Sequence, residues 1–479
     1  MKQIIIKGFR VGIFLLILGV VIWRTGKILD WKDTTGNYLS STQQLYHTPE
    51  NTMDVIFLGS SHCYCGIYPA YLWRDRGISA FDMAVSGQDR ASTYHTLVEA
   101  LKTQKPKVVF VDMYGLTFDR HEIEGNVYRN MLSMKVSENS IELIKEYVEP
   151  EKQNDFFARW PIIHTRFWEV GKYDYIQYLP SEYGRGAAYQ WGTHTADPGD
   201  AETEEADTLK ETNRQWLTRL YELSREKDFK LVFFVAPFNI KEEEQRQVNA
   251  AAEYAKEKEI PFIDFNKIRY QIGLNDELDF VDEFHCNALG AEKVTEYIRD
   301  YLEQNFSLED HRGDVKYAQW DMDYKWFQHL KLKAEFEGDN SAEEFTGKIA
   351  RQEDLVIAVS FDPAADSEAS EDEKNEILAS LRTLGIVSEQ GDFAESCPQA
   401  EGLWIRDNSG LRKVSENDPS AKPFCADIGR TDAIRLRYSS PREASDMMIN
   451  YTQYLRTDTM LTIVVYDPFL EEVLCTKNL

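Results

Sequence analysis

The chain has 479 residues, 43% of them apolar and 13% aromatic, enough to bury a core in each of two or three domains, which excludes wholesale disorder. Its formal charge of −27 at pH 7 excludes nucleic-acid binding as the main task, because that affinity rests on clustered Lys and Arg. So many acids are read as the solvated surface of a soluble, exposed protein.

Residues 11–23 (VGIFLLILGVVIW) are uncharged and apolar, and residues 4–6 extend the run upstream across Lys7 and Arg10. The stretch, about 21 residues from Gln3, is long enough to cross a bilayer if those two cations snorkel. Lys2, Lys7 and Arg10 precede the apolar centre, so the positive-inside rule keeps the N-terminus in the cytoplasm and exports the rest. A cleaved signal peptide is the rival reading, but residues 23–27 (WRTGK) offer no small-x-small cleavage site. The expectation is an uncleaved single-pass anchor over residues 1–27, with the remainder outside the cell membrane.

Past a polar stretch at 31–51, strands and helices alternate. Strands are expected at 55–58, 80–85, 107–113, 230–236 and 260–265, and helices at 68–74, 92–101, 209–227, 241–258 and 288–305. The third strand holds an unbroken apolar run at 108–111 (VVFV), as in a parallel sheet covered on both faces. Alternation of this kind predicts βαβ units, hence an α/β domain over residues 28–306 with its active groups at the carboxyl ends of the strands. An insertion at 118–207 is aromatic at its centre, from Phe156 to Trp191. A lid stacking on sugars is one reading, and a cap with a small core of its own is the commoner one. Residues 197–207 carry acids and no base, and read as a solvated loop. Residues 307–330, with Trp320, Tyr324, Trp326 and Phe327, read as a connector packing between domains. Residues 331–479 are expected as a separate α+β module, with strands at 354–361, 433–438 and 461–466 and a helix at 372–384.

Two short strings carry chemistry. Residues 54–66 (DVIFLGSSHCYCG) run an apolar strand into a sharp turn that presents a serine hydroxyl at a helix start. Residues 282–290 (DEFHCNALG) place Asp282 and His285 three apart, on one side of a single helical turn. Ser61, His285 and Asp282 are the nucleophile, general base and orienting acid of serine acyl transfer. The oxyanion would be met by the amides of Ser61 and Gly87, glycine letting the backbone approach substrate. The bland reading of Ser61 is a helix cap. His62 reads as structural, and Asp112 as a partner of a backbone amide near the pocket. Cys63 and Cys65 beside His62 and His285 lack the usual C-x-x-C spacing of zinc sites, so no metal or cofactor is expected. A bridge between Cys397 and Cys425 is chemically open outside the cell.

These residues resemble the SGNH/GDSL hydrolase superfamily. Gly59-Ser60-Ser61 stands where that family has Gly-Asp-Ser, which makes Ser61 rather than Ser60 the nucleophile. Residues 84–88 (AVSGQ) look like the second block, whose glycine donates to the oxyanion. Asp282-Glu283-Phe284-His285 matches the closing Asp-x-x-His, and His285, Asn287 and Gly290 match a continuation seen in relatives. The likeness spans residues 54–306 and is greatest to membrane-anchored Gram-positive members of the teichoic-acid D-alanylation type. It implies a three-layer flavodoxin-like fold with a central parallel sheet. One block departs: the family's third supplies an oxyanion asparagine, whereas here the strand ends Val111-Asp112-Met113-Tyr114-Gly115. Tyr114, Ser60 or a backbone amide would have to substitute. Residues 331–479 more loosely resemble bacterial interleukin-like EMT-inducer domains, which implies ligand or glycan binding.

The expected function is an anchored extracytoplasmic serine O-acyl esterase or O-acyltransferase acting on cell-surface glycan or a teichoic-acid-like polymer. The alternative is a non-catalytic surface protein of the same fold that binds glycan or docks a membrane-bound O-acyltransferase. A lipase-like enzyme facing the membrane is a third reading.

Overall fold

A computed structural model of the chain describes residues 2–30, 39–116, 133–175, 183–338, 341–366, 368–414, 424–426, 434–437, 445–450 and 452–479. They fall into two compact units, Met1–Tyr324 and Lys325–Leu479.

The first unit begins with the helix Lys2–Leu29. Its segment Ile6–Leu29 has a mean hydropathy of 2.1 and is exposed over residues 6–24, so it is long and apolar enough to cross a membrane. Within the stretch read as polar, the helix Leu39–His47 packs Leu45 into the core, and five strands are then interleaved with further helices: β1 (Val55–Leu58), β2 (Ala80–Asp82), β3 (Val108–Asp112), β4 (Lys230–Val235) and β5 (Phe262–Asp264). They form one sheet in the order β2-β1-β3-β4-β5, with every pairing parallel. All four β1 side chains are fully buried, which is why the strand is an unbroken apolar run rather than an alternating one. The helices Arg90–Ala100, Glu211–Lys227, Glu242–Glu257 and Ala288–Asn305 supply the crossovers and covering layers. Leu97, Leu217, Leu220, Val248 and Tyr254 meet Ile56, Val109, Leu231 and Phe233 in one core. The order reverses direction at β1, and the crevice at such a switch point is where open α/β sheets bind ligands.

The second strand is shorter than its apolar pattern predicts. Asp82 Oδ1 accepts the Ala84 amide at 2.7 Å, closing a turn that ends β2 three residues early. Of the insertion, residues 118–132 and 176–182, Tyr178 among them, lie outside the described residues. The rest divides between two surroundings. The helix Glu138–Tyr147 packs Leu143 and Ile144 on Ala91 and Met134, and Ile163 packs on Leu29 of the N-terminal helix. Residues 183–194 instead run past the start of the helix Ala288–Asn305, where Gln190 O accepts the Ala288 amide at 2.7 Å. The stretch read as a connector enters the helix Ala318–Glu337, and Trp320 is buried with its indole donating to Ala80 O at 3.1 Å.

The second unit is built on antiparallel strands: β6 (Val356–Phe361), β7 (Gly402–Asp407), β8 (Gly410–Lys413), β9 (Phe424–Ala426), β10 (Ile434–Arg437), β11 (Asp446–Ile449), β12 (Thr452–Gln453), β13 (Leu461–Asp467) and β14 (Glu472–Asn478). They make sheets of order β14-β13-β6-β7-β8 and β12-β11-β10-β9. Alternation along β6 and β13 sorts the two faces. Ile357, Val359, Ile463 and Val465 meet Ile377 and Leu381 of the helix Glu371–Thr383, while Val356, Ala358 and Val464 meet Leu436 and Met447 of the second sheet. Cys397 is a buried free thiol, and the side chain of Cys425 lies outside the described residues.

Candidate active site

At the end of β1 the chain turns through Gly59 and Ser60 into the short helix Ser61–Gly66. A Cβ on residue 59 would lie 2.5 Å from Asp112 Cβ at the end of β3 and 3.0 Å from Cys63 Cβ. Glycine therefore lets the turn pass between the neighbouring strand and its own helix. Ser60 is extended and fully buried, and its hydroxyl accepts the His62 amide at 3.3 Å. Capping thus falls to Ser60, and the Ser61 side chain is left to point elsewhere.

It points at His285. Ser61 Oγ lies 2.8 Å from His285 Nε2, and His285 Nδ1 lies 2.9 Å from both Asp282 Oδ1 and Asp282 Oδ2. The two strings, 224 positions apart, therefore meet in a hydrogen-bonded line of hydroxyl, imidazole and carboxylate. The Asp282–His285 stretch is not a helical turn as its spacing predicts. It is an irregular loop before the helix Ala288–Asn305, closed by a bond from the Val281 amide to His285 O at 2.9 Å. Asp282 Oδ1 folds that loop by accepting the amides of Phe284 at 2.7 Å and His285 at 2.9 Å. An aspartate turn brings residues i and i+3 together as a helix does, which is why spacing alone misleads.

Asn287 and Gly290 hold this loop in place. Asn287 Oδ1 accepts the Leu289 and Gly290 amides at the helix start, while its Nδ2 donates to Leu278 O at 2.7 Å and Gly192 O at 2.8 Å. A Cβ at residue 290 would come 2.3 Å from Asp279 O. The His-x-Asn-x-x-Gly pattern is thereby a positioning device.

Gly87 has φ +60, a conformation glycine adopts without strain, in the loop after β2. That loop is laced to the Gly59–Ser61 turn: the Val85 amide donates to Gly59 O at 3.0 Å, and the Gly59 amide to Gln88 Oε1 at 2.9 Å. Gln88, fully buried, also donates to Met83 O at 3.1 Å; it stood in the sequence block without a role, since a glutamine's partners are invisible there. The amides of Ser61 and Gly87 donate to no group among the described residues. Of the groups that could replace the missing asparagine, the Ser60 hydroxyl is taken up by the His62 amide and by Asp112, and the Tyr114 ring packs 4.1 Å from that of His62 and 4.9 Å from that of Phe238.

His62 is buried between Tyr114 and Phe238, its ring 5.4 Å from that of His285. Burial pushes its pKa well below the usual histidine range, with His285 adding to the effect, so it is neutral at physiological pH. For Asp282 burial acts upward, but the hydrogen bonds from His285 and Phe284 outweigh it and leave the carboxyl below its ordinary value. An ionised carboxylate beside the imidazole stabilises imidazolium when it forms. Burial raises the thiols of Cys63 and Cys65 well above the usual range and that of Cys286 to about 12, so all three stay protonated and are poor nucleophiles. Behind the turn, burial raises Asp82 to about 8 and Asp112 to about 7. Asp112 Oδ1 accepts the Tyr114 amide at 3.2 Å, the partner of a backbone group that its position implied. Sequence reasoning passed over Glu283, which ties the rim by accepting from His194 Nε2 at 3.1 Å and the Asp197 amide at 2.9 Å.

No protein-family model matches the chain, and neither does any curated protein. Among solved structures, a Bacteroides fragilis protein provisionally described as an acylhydrolase aligns with 14% identity, over 57% of this chain and 99% of that one, at a TM-score of 0.28.

Proposed function

We propose that the protein is a membrane-anchored serine O-acyl esterase or O-acyltransferase of the SGNH kind, working outside the cell on a surface glycan or teichoic-acid-like polymer. The observation that carries this reading is the aligned Ser61–His285–Asp282 set at the switch point of a parallel sheet. Ser61 Oγ attacks the ester carbonyl carbon as its proton passes to His285 Nε2. The tetrahedral oxyanion is met by the Ser61 and Gly87 amides, and the first amides of a helix lack intrahelical partners in any case. Collapse expels the alcohol, which takes the proton from His285, and leaves the acyl group on Ser61. Water or a sugar hydroxyl then gives its proton to His285 and attacks the acyl carbon. Ser61 departs and recovers that proton. Lys2, Lys7 and Arg10 ahead of the uncharged run at 11–23 support the outward orientation.

A fluorophosphonate probe tests the reading on the full chain. Labelling that Ser61→Ala abolishes supports it. Absence of labelling in folded protein favours a non-catalytic surface protein that binds glycan or docks a membrane-bound O-acyltransferase.

A further inference from the structure

The aromatic half of the insertion grips the membrane-proximal end of the N-terminal helix, not the catalytic rim. The short helices Trp160–Ile163 and His164–Trp168 pack against the helix Lys2–Leu29. Arg166 donates to Leu29 O and Asp30 O, each at 2.7 Å, filling carbonyls that a helix end leaves unpaired. Trp160 lies 3.5 Å from where a Cβ on Gly26 would sit, and Ile163 is buried on Leu29. Gly26 is three residues beyond Trp23, so these turns sit about 5 Å along the axis past the end of the apolar run. Their outer surface is nevertheless apolar: Phe167 and Trp168, rings 4.0 Å apart, are 52% and 84% exposed. Residues 156–168 hold no acid, in a chain with 81 of them, while Arg24 stacks over Trp23 at 5.3 Å. Arg166 is itself paired with Asp174 at 3.1 Å and Glu169 at 3.7 Å, so what marks this surface is its exposed rings, which at the height where a spanning helix leaves the hydrocarbon match the aromatic belt of a membrane–water interface.

We propose that residues 160–168 form a collar that lies in the outer headgroup boundary of the bilayer and holds the catalytic unit against it. The collar rests on the anchor reading, and the test separates the two. The full chain is reconstituted in phosphatidylcholine–phosphatidylglycerol vesicles with acyl chains brominated near the glycerol, and tryptophan emission is compared for wild type, Trp23→Phe and Trp168→Phe. Both side chains are exposed and phenylalanine keeps an aromatic ring against Arg24 and Phe167, so each change should leave the fold intact. The collar predicts that each substitution removes a bromine-quenched component. Loss of such a component with Trp23→Phe but not with Trp168→Phe overturns the collar and leaves the anchor standing. No loss with either overturns both.

Discussion

Asp282 does two jobs with one carboxylate, folding the loop through two amides and orienting the His285 ring. Asn at this position retains an oxygen for the amides, but its NH2 group cannot stabilise imidazolium. Asp282→Asn should therefore keep the fold and slow fluorophosphonate labelling of Ser61 by about 10³–10⁴-fold, as seen when a triad acid is neutralised. A labelling rate within a few-fold of wild type would remove Asp282 from the proposed mechanism. Gly59 fails differently. Its absent Cβ would meet Asp112 Cβ at 2.5 Å, so Gly59→Ala should cost about 1–3 kcal/mol in urea unfolding, the range for overpacking. At this scale the sequence was legible where chemistry dictates a residue type. It left open whether Ser61 caps the helix, and the bond from the His62 amide to Ser60 Oγ gives that task to Ser60.

Among elements, β1, β3, β4 and the helix Ala288–Asn305 follow their hydrophobic pattern closely, because both faces or one clear face are buried. Two stretches escaped it. Asp82 cuts β2 short through its own side chain, and Asp282 makes an aspartate turn look like a helical one. Periodicity reports burial, and neither effect is burial. The edge strands β8 and β12 are short and half-exposed or exposed, so they left little apolar signal. Asn287 ties the loop bearing His285 to Gly192 O and Leu278 O. Asn287→Ala should lose about 1–2 kcal/mol from the missing cap, and free the loop enough to slow labelling of Ser61. Thermal unfolding and labelling kinetics read the two effects separately; an unchanged labelling rate would leave Asn287 as a cap alone.

For the whole molecule, the alternation of strands and helices made the parallel sheet legible, whereas the placement of the insertion was not. Its aromatics lie partly on the N-terminal helix and partly beside the site, and composition does not distinguish those surroundings. Asp82 and Asp112 add a pH dependence to the fold. Unfolded carboxyls ionise near pH 4, but burial raises these two to about 8 and about 7. Between those limits these two groups hold more protons in the native state than in the unfolded one, so they lower stability as pH rises from about 4 to about 8, while His62, buried neutral, opposes them up to the ordinary histidine range near pH 6.5. The carboxyls held low, Asp282 and Glu283 among them, act below that window. Urea unfolding across the neutral range should show the decline, and Asp112→Asn should flatten it; a slope unchanged by that substitution would mean that Asp112 does not titrate there.

The central claim is that Ser61, activated by His285, takes up an acyl group. Peptide mass spectrometry of the full chain, quenched in acid after brief exposure to p-nitrophenyl acetate, tests it most directly. The account predicts an acetyl group on Ser61 in wild type and none in His285→Ala. Acetylation elsewhere, or an unmodified Ser61 in folded wild-type protein, would contradict it.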